Sequence, residues 1–197
     1  MLTLITSCGR HDLLDKTVRS LFKNQERDLE VVIHEDAMVP IRLEVVSRSG
    51  IILNYTGKLG QHVSIAKFVN YFDHHKYYLH CEDDWEFENG YDWVMESMKI
   101  MESDPKIIKV LCRADSPHPV GEFKNSYAIL EPWVNDGIEW CGFSWNPGVT
   151  RLDLLKRFVP FGSYEQDVAK AIHEAGYKVA VLEKGVCRHI GDGRSTH

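Results

Sequence analysis

Short apolar runs alternate with amphipathic helical patterns along most of this chain, and this alternation restricts the fold more than any other feature. Strands are predicted from apolar runs at residues 2–6, 30–34, 51–53, 77–81, 107–111 and 178–182. Helices are predicted from helical spacing over residues 12–22, 65–72, 91–101, 153–158 and 164–175. Strands that alternate with helices in this way pair in parallel and carry helices on both faces of the sheet. The sequence therefore predicts an α/β fold with a mostly parallel central sheet.

Local patterns add detail to this architecture. Asp12, followed by Asp15 three residues later, is predicted to cap the first helix. Residues 116–148 are rich in Pro, Gly and Trp and lose the periodicity, so we predict that they fold over a site rather than into the core. No internal repeat, low-complexity tract or linker-like run interrupts the chain, which predicts a single domain over residues 1–197.

Charge, cysteine content and hydropathy exclude several classes of protein. The net charge of -6 argues against a general nucleic-acid binder, which needs a basic face. The five cysteines are scattered and form no CxxC pair, so we expect reduced core residues rather than disulfides or structural zinc. No apolar stretch approaches the ~20 residues of a membrane span, and the start of the sequence does not resemble a signal peptide. These features lead us to expect a cytoplasmic protein.

Three consecutive acids follow the strand predicted at residues 77–81. Glu82, Asp83 and Asp84 would lie at the carboxyl end of that strand, where open parallel sheets bind ligands. Adjacent like charges repel, and a hard divalent cation such as Mg²⁺ or Mn²⁺ would make the cluster tolerable. The spacing fits equally well with a solvated acidic loop that caps the next helix.

A second group of acids begins the helix predicted at residues 164–175. Ser163 and Gln166 form an S-x-x-Q capping box, which places Glu165 and Asp167 in the first turn of the helix. Acids are favourable near the positive end of a helix dipole, and this effect alone can explain both.

The order of these segments resembles the nucleotide-sugar half of GT-A-fold glycosyltransferases. Four segments carry the resemblance: LITSCGRHDLLDKTVRSL, the acidic triplet, EPWVNDGIEWCGFSWNPGVTRLDLLKRF and SYEQDVAKAIHEAGYKV. The chain is most similar to the family 2 enzymes, and its triplet resembles the Glu-Asp-Asp variant of the DxD motif in enzymes of the N-acetylglucosaminyltransferase I type. The resemblance implies a nucleotide-binding part at about residues 1–112 and an acceptor part at about 113–197.

The resemblance also implies roles for the triplet and the C-terminal tail. The last acid of the triplet binds the metal in such enzymes and a histidine after the last strand completes the metal shell, which implies that Asp84 and His189 hold Mn²⁺ or Mg²⁺. The implied contacts of the nucleotide-sugar donor are Thr6, Arg10, Asp36, Lys58, Glu82, Asp83 and Arg194. Glu35 is implied beside Asp36, and for both residues a polar turn after a strand is the alternative.

The catalytic base and the acceptor site are implied by the same resemblance. Inverting GT-A enzymes place a carboxylate at the start of the helix that here begins near residue 164. Counting back from Gly176 favours Glu165 as the base, whereas the acid-acid-aromatic pattern of acetylglucosaminyltransferases favours Asp167. An acceptor sugar is expected against Trp133, Trp145 and Asn146, although core tryptophans are the default explanation.

Taken together, the resemblance implies a metal-dependent, inverting glycosyltransferase. It would move a hexose-type sugar from a nucleoside diphosphate donor, with UDP favoured, to a hydroxyl of a glycan or glycoprotein. A sugar nucleotidyltransferase is one alternative, although the Gly-rich signature of that class is missing after the first strand. A non-catalytic carbohydrate-binding module on a transferase scaffold is the other.

Overall fold

The computed structural model describes residues 1–24, 28–37, 40, 51–55, 57–88, 91–113, 119–135 and 137–194. Its strands are β1 (Leu2–Ser7), β2 (Glu30–Glu35), β3 (Ile51–Tyr55), β4 (Tyr77–Glu82), β5 (Trp85–Phe87), β6 (Ile107–Leu111), β7 (Tyr127–Ile129), β8 (Trp133–Asn135), β9 (Ile138–Trp140), β10 (Gly148–Arg151), β11 (Lys178–Leu182) and β12 (Cys187–His189). Its helices are α1 (His11–Lys23), α2 (Gln61–Tyr71), α3 (Trp93–Ser103), α4 (Leu152–Leu155) and α5 (Glu165–Glu174), and a 3-10 turn, Lys156–Phe158, follows α4. Every strand and helix predicted from periodicity is present.

Eight strands form the central sheet, in the order β3-β2-β1-β4-β10-β6-β11-β7. The four strands from β3 to β4 are parallel, as are β6 and β11. β10 is antiparallel to both β4 and β6, and β7 is antiparallel to β11. The expectation of a mostly parallel sheet is therefore confirmed, with one antiparallel strand at its centre.

Helices cover both faces of this sheet, as the alternation of elements predicts. On one face, α1 and α3 contribute buried residues such as Leu14 and Val94 to a continuous apolar cluster. On the other face, α2 and α5 contribute residues such as Phe68 and Ile172 to a second cluster. None of the helices in the described ranges is long and apolar enough to cross a membrane.

The prediction that residues 116–148 fold over a site rather than into the core is wrong for residues 140–145. Trp140, Phe143 and Trp145 are buried in the core, and the segment leads directly into β10 at the centre of the sheet. The chain from 141 to 147 has no regular secondary structure, which is why periodicity missed it, although Phe143 and Trp145 show the two-residue spacing of an extended chain.

The predicted caps of α1 and α5 are also wrong by one residue or more. Arg10, not Asp12, is the N-cap of α1, and it makes no side-chain capping bond. Tyr164, not Ser163, is the N-cap of α5. The Tyr164 backbone N–H donates to Asp167 Oδ2 at 3.0 Å, so Asp167 is the acid that reaches back to cap the helix.

The cysteine prediction holds for four of the five residues. Cys81, Cys112, Cys141 and Cys187 are buried, Cys8 is exposed, and all five are free thiols.

Candidate functional site

The candidate site lies where three parallel strands end side by side. Register pairs Ser7 of β1 with Glu35 of β2, and Thr6 of β1 with Glu82 of β4. The acidic triplet therefore follows β4 at the carboxyl edge of the sheet, where its position in the sequence predicted it.

Asp83 is buried and bound from several sides. Its Oδ2 accepts hydrogen bonds from Ser7 Oγ at 3.0 Å and from the Cys8 backbone N–H at 3.3 Å, and its Oδ1 pairs with the Arg10 guanidinium. Burial raises its pKa, and the charge of Arg10 opposes that effect. The turn is fixed from below by Thr17 of α1, whose hydroxyl donates to the Asp83 carbonyl at 2.8 Å. Both the side chain and the backbone carbonyl of Asp83 are thus held in place at the base of the site.

Asp84 is satisfied at only one of its two carboxylate oxygens. Its Oδ2 contacts Arg10 Nη1 at 2.6 Å and His189 Nε2 at 3.1 Å. Its Oδ1 is buried and has no hydrogen-bond partner. A buried carboxylate oxygen without a donor is unfavourable, so this atom is suited to a cation.

His189 approaches Asp84 from β12. Its Nδ1 contacts Asp192 Oδ1 at 2.8 Å. Partial burial opposes the charged form of His189, but the contacts with Asp192 and Asp84 outweigh burial and raise its pKa. The chain then passes Asp84 so closely at Gly191 that a Cβ there would lie 2.9 Å from the Asp84 Cγ.

These groups fit a divalent cation that takes part of its coordination shell from a substrate. Asp84 and His189 are neighbouring oxygen and nitrogen donors, and the Asp84 Oδ1 lacks a partner. No set of three or more His, Cys, Asp or Glu side chains in the described ranges is placed to hold a metal ion by itself. Mn²⁺ and Mg²⁺ commonly complete their shells with substrate phosphates and water. The bridging Arg10 guanidinium shows that this spot already stabilises positive charge.

A cleft of about 200 Å³ opens beside the triplet. Among its lining residues are the predicted donor contacts Thr6, Arg10, Asp36, Glu82 and Asp83. Gln61 also lines it and donates from Nε2 to Glu82 Oε1 at 3.0 Å. Burial, followed by the charge of Asp84, raises the pKa of Glu82. The cleft therefore brings together five of the seven predicted donor contacts.

Asp36 lines the cleft and also binds the loop that contains Lys58, whose backbone N–H donates to the Asp36 carbonyl at 2.9 Å. The Asp36 carboxylate accepts from the backbone N–H groups of Leu59 and Gly60 at 2.7 and 2.8 Å, which ties β2 to the loop before α2. Lys58 is exposed in a left-handed conformation with φ of 58°, and its side chain does not line the cleft. The donor contact implied for Lys58 stays a prediction.

Glu35 and Arg194 have partners elsewhere. Glu35 is completely buried and accepts from Ser7 Oγ, Gly9 N and Ala37 N at 2.7 to 2.9 Å, so it stabilises the loop instead of lining the cleft. Arg194 makes a bidentate pair with Asp12 at 2.7 and 2.9 Å, at the start of α1. This pairing lowers the pKa of Asp12 to about 2. The Arg194 carbonyl still lies 3.4 Å from Arg10 Nη1, at the edge of the site.

A second cleft of about 460 Å³ adjoins the triplet on the side of β12. Its lining residues are Glu82, Trp85, Arg113, Asn146, Arg188, His189 and Asp192. Glu82 lines both clefts, which therefore adjoin at this residue. Asn146 is the predicted acceptor contact that reaches this space.

Trp133 and Trp145, the other two predicted acceptor contacts, do not line the second cleft. Trp145 is only 1% exposed, and its indole N–H donates to His62 Nε2 at 3.2 Å, so its ring faces are not available to a sugar. The acceptor contact of Trp145 stays a prediction that its burial in this conformation does not favour. Trp133 is partly exposed and packs against Trp140, with ring centroids 5.6 Å apart, away from the residues that line the second cleft.

Glu165 and Asp167 occupy different environments although they are two residues apart. Glu165 accepts from the Trp145 backbone N–H at 2.7 Å. Burial raises its pKa, an effect opposed by that hydrogen bond and by the charge of Lys109. Asp167 is exposed and caps its own helix. Glu165 is thus partly buried, and its negative charge contributes to the raised pKa of Glu82, which lines both clefts.

Sequence reasoning missed several residues of the site. Arg113 and Trp85 line the second cleft as a cation over an indole ring, with the guanidinium 5.3 Å from the ring centroid. Lys109 is buried, and its charge interacts with that of Glu165. A charged residue within the apolar strand IIKVL is the sequence signal that could have identified it. No local signal in the sequence assigns Trp85 or Arg113 to a cleft.

Comparisons with known proteins were made with the sequence and with the structure. No family model and no curated protein matches the sequence. The structure is similar to a mannosyltransferase, PcManGT from Pyrobaculum calidifontis, solved with GDP-Man and Mn²⁺, with a TM-score of 0.67 and 14% identity. It is also similar to GalNAc-T7, solved with UDP, GalNAc and Mn²⁺, with a TM-score of 0.68 and 10% identity.

The similarity extends over nearly all of this chain but not of the two enzymes. It covers 98% of this chain and 58% of the mannosyltransferase, and 96% of this chain and 44% of GalNAc-T7. The chain thus spans about half the length of these neighbours. At this level of identity the similarity identifies the architecture, and the chain has the GT-A fold of glycosyltransferases.

Proposed function

We propose that this chain is a metal-dependent glycosyltransferase. It transfers a hexose-type sugar from a nucleoside diphosphate sugar to a hydroxyl of a glycan or glycoprotein, with inversion. The observation that carries the proposal is the meeting of Asp84 and His189 at the end of β4, where a buried carboxylate oxygen lacks a donor. The two structural neighbours, solved with nucleotides and Mn²⁺, support it.

Asp84 and His189 would hold Mn²⁺ or Mg²⁺ in this function. The cation, when bound, neutralises the negative charge that develops on the departing diphosphate. Arg10 adds a guanidinium beside the same carboxylates, where two charge-assisted bonds to phosphate oxygens are possible. The nucleoside occupies the cleft lined by Thr6, Asp36 and Gln61. The similarity of the triplet to the Glu-Asp-Asp motif favours UDP as the nucleotide.

Glu165 is the base that we propose for the acceptor hydroxyl. It is held by a backbone N–H and is largely shielded from water, whereas Asp167 is occupied in capping α5. A base with a raised pKa takes the proton of the hydroxyl as the hydroxyl oxygen attacks the sugar. The acceptor would enter through the second cleft, beside Asn146 and Arg113.

The direct test is binding of nucleotide sugars with and without metal. The chain is titrated with UDP-, GDP- and dTDP-sugars by calorimetry, in the presence of Mn²⁺ or of EDTA. We expect heat of binding only when nucleotide and Mn²⁺ are present together, and slow release of UDP from a UDP-sugar in the absence of an acceptor. Nucleotide binding that is indifferent to Mn²⁺ would contradict the proposal.

The products distinguish the proposal from its alternatives. A sugar nucleotidyltransferase makes a nucleotide sugar from a nucleoside triphosphate and a sugar phosphate and releases pyrophosphate, which an enzyme-coupled assay detects. A carbohydrate-binding module binds glycans and leaves the UDP-sugar intact. Either result in place of UDP release would replace the transferase assignment.

A further inference from the structure

Lys109 is a cation in an unusual place. It lies in the middle of β6, between apolar neighbours, and its side chain is fully buried. Lysine is almost never fully buried unless it has a partner. Burial lowers its pKa to about 8, so the ammonium form is still dominant at neutral pH. A buried charge that is retained in a core strand calls for a function.

The ammonium is held by one backbone carbonyl and two aromatic rings. Lys109 Nζ donates to the Ser144 carbonyl at 2.7 Å. The same nitrogen lies 5.3 Å from the Phe143 ring centroid and 5.9 Å from that of Trp145. Its path runs past Gly148 of β10, where a Cβ would lie 2.9 Å from the Lys109 Cε. The glycine therefore leaves room for the lysine side chain.

The opposite side of the same peptide group is bound to Glu165. The Ser144 carbonyl and the Trp145 N–H belong to one peptide bond, and that N–H donates to Glu165 Oε2 at 2.7 Å. An ammonium, a peptide group and a carboxylate are thus arranged in series. A hydrogen bond to the carbonyl oxygen polarises the peptide and strengthens its N–H as a donor.

We propose that Lys109 is a positioning residue for Glu165: it polarises the Ser144–Trp145 peptide, which in turn holds the Glu165 carboxylate in place and ionised. The inference rests on the proposed function of Glu165 as the base. It goes beyond that function because it makes the position and ionisation of Glu165 depend on Lys109, a residue of β6.

The charged and titratable side chains around Glu165 define what else acts on it. Lys109 of β6 and Glu82 of β4 interact with Glu165 through their charges, and His80 of β4 and His62 of α2 contact Trp145, whose backbone N–H binds Glu165. Burial lowers the pKa of His80 to about 3, so this residue is neutral, and its Nδ1 contacts the Trp145 carbonyl at 2.7 Å. Glu82 repels the negative charge of Glu165. The positive charge of Lys109 lowers the pKa of Glu165, so the removal of Lys109 should raise that pKa.

The test compares Lys109→Met with the wild-type chain by NMR. Selective ¹³C labelling of glutamate side chains gives a signal for each carboxyl group, and the Glu165 signal is identified by its loss in Glu165→Gln. We expect the titration midpoint of Glu165 to rise by about one pH unit or more in Lys109→Met, the size of effect that a nearby opposite charge produces. The low-pH limb of kcat/KM should shift by the same amount.

Two further variants make the result specific. Thr150→Val is the matched control, because Thr150 is buried and pairs with Lys109 in the sheet register, but carries no charge. It should leave the midpoint of Glu165 unchanged. Lys109→Gln, which keeps a donor but removes the charge, should move the midpoint in the same direction as Lys109→Met, and it serves if the methionine variant does not fold.

A Glu165 midpoint that is the same in wild type and in either Lys109 variant would overturn the inference. So would an equal shift in Thr150→Val, since the effect would then come from packing. The NMR titration needs no substrate. A chain without transferase activity would refute the proposed function and still leave a clear answer on the coupling of Lys109 to Glu165.

Discussion

Only one carboxylate oxygen of Asp84 has partners: Oδ2 contacts Arg10 and His189. The other oxygen, Oδ1, is buried without a donor. Replacing Asp84 with Asn removes the charge that a cation needs. We expect a loss of about 100-fold or more in Mn²⁺ affinity, since even residues that only support a metal ligand cost about 10- to 100-fold when mutated. Competition EPR of free Mn²⁺ measures this directly.

The control for this measurement is Asp15→Asn. Asp15 is a partly exposed acid of α1 that pairs with Arg19 and lies outside both clefts. Equal Mn²⁺ affinities in Asp84→Asn and Asp15→Asn would show that the acidic surface as a whole, and not Asp84, attracts the ion.

Glu165 and Asp167 should separate cleanly into a chemical and a structural role. We expect Glu165→Gln to lower kcat by about 10²- to 10⁴-fold, the usual contribution of a general base. Asp167→Asn weakens the cap of α5 and should cost about 1 kcal/mol of stability. Steady-state kinetics and urea unfolding of both variants check the assignment. A larger loss of kcat in Asp167→Asn than in Glu165→Gln would reverse it.

His80 makes the stability of the fold sensitive to acid. Its pKa is about 3 in the folded chain, against 6.5 for an ordinary histidine, because it is buried. The unfolded chain therefore binds the extra proton between pH 6.5 and 3, and stability falls as the pH is lowered through this window. Once His80 is protonated in the unfolded chain, each further pH unit costs about 1.4 kcal/mol.

Urea unfolding at several pH values tests this dependence. His80→Gln removes the titrating ring and should give a flatter decline of stability between pH 6.5 and 4 than the wild-type chain. Equal slopes for the two proteins would assign the acid sensitivity to other groups.

Individual site residues were predictable from the sequence where local context decides their place. The triplet was located because acids directly after an apolar strand lie at the end of that strand. Glu165 and Asp167 could not be told apart, because a shift of one residue in the helix start decides which acid caps the helix. The place of Trp145 depends on contacts with His62 and His80, which are distant in sequence.

At the scale of elements, β10 depends on its first residue. A Cβ on Gly148 would lie 2.5 Å from the Val110 carbonyl oxygen, in addition to crowding Lys109. We expect Gly148→Ala to cost about 3 kcal/mol, the upper end of the usual range for overpacking, since backbone atoms cannot give way as a side chain can. Chemical unfolding of the variant measures this loss.

Gly176→Ala is the matched control for this change. A Cβ at Gly176 meets no atom within 4 Å, although its φ of 79° disfavours alanine. We expect Gly176→Ala to lower the free energy of unfolding by about 1–2 kcal/mol, because only the left-handed backbone conformation disfavours alanine there. A cost for Gly148→Ala no larger than that for Gly176→Ala would show that β10 tolerates the added methyl group.

The elements themselves were predictable to the extent that periodicity marks them. α1 and β4 have clear patterns of apolar residues, and their positions match the prediction closely. β5, β8 and β12 have three residues each, too few for a pattern to stand out. The position of β10 in the sheet is set by pairing with strands far away in the sequence, which no local pattern records.

At the scale of the whole molecule, the part at about residues 1–112 and the part at about residues 113–197 share one central sheet. β10 comes from the second part and pairs with β4 and β6 of the first. A fragment of residues 1–112 would leave these two strands with unpaired edges at the centre of the sheet. We expect this fragment to lack a cooperative unfolding transition by circular dichroism, and to gain one when residues 113–197 are added. Cooperative unfolding of the fragment alone would contradict this.

The central place of β10 also determines when the fold can form during synthesis. Both β4 and β6 are translated before β10, the strand that joins them. His189 and Gly191, which cover Asp84, arrive later still. The pairing of β4 with β6 through β10 therefore forms only after β10 has been synthesised, and until then both strands keep an open edge that can pair with another chain.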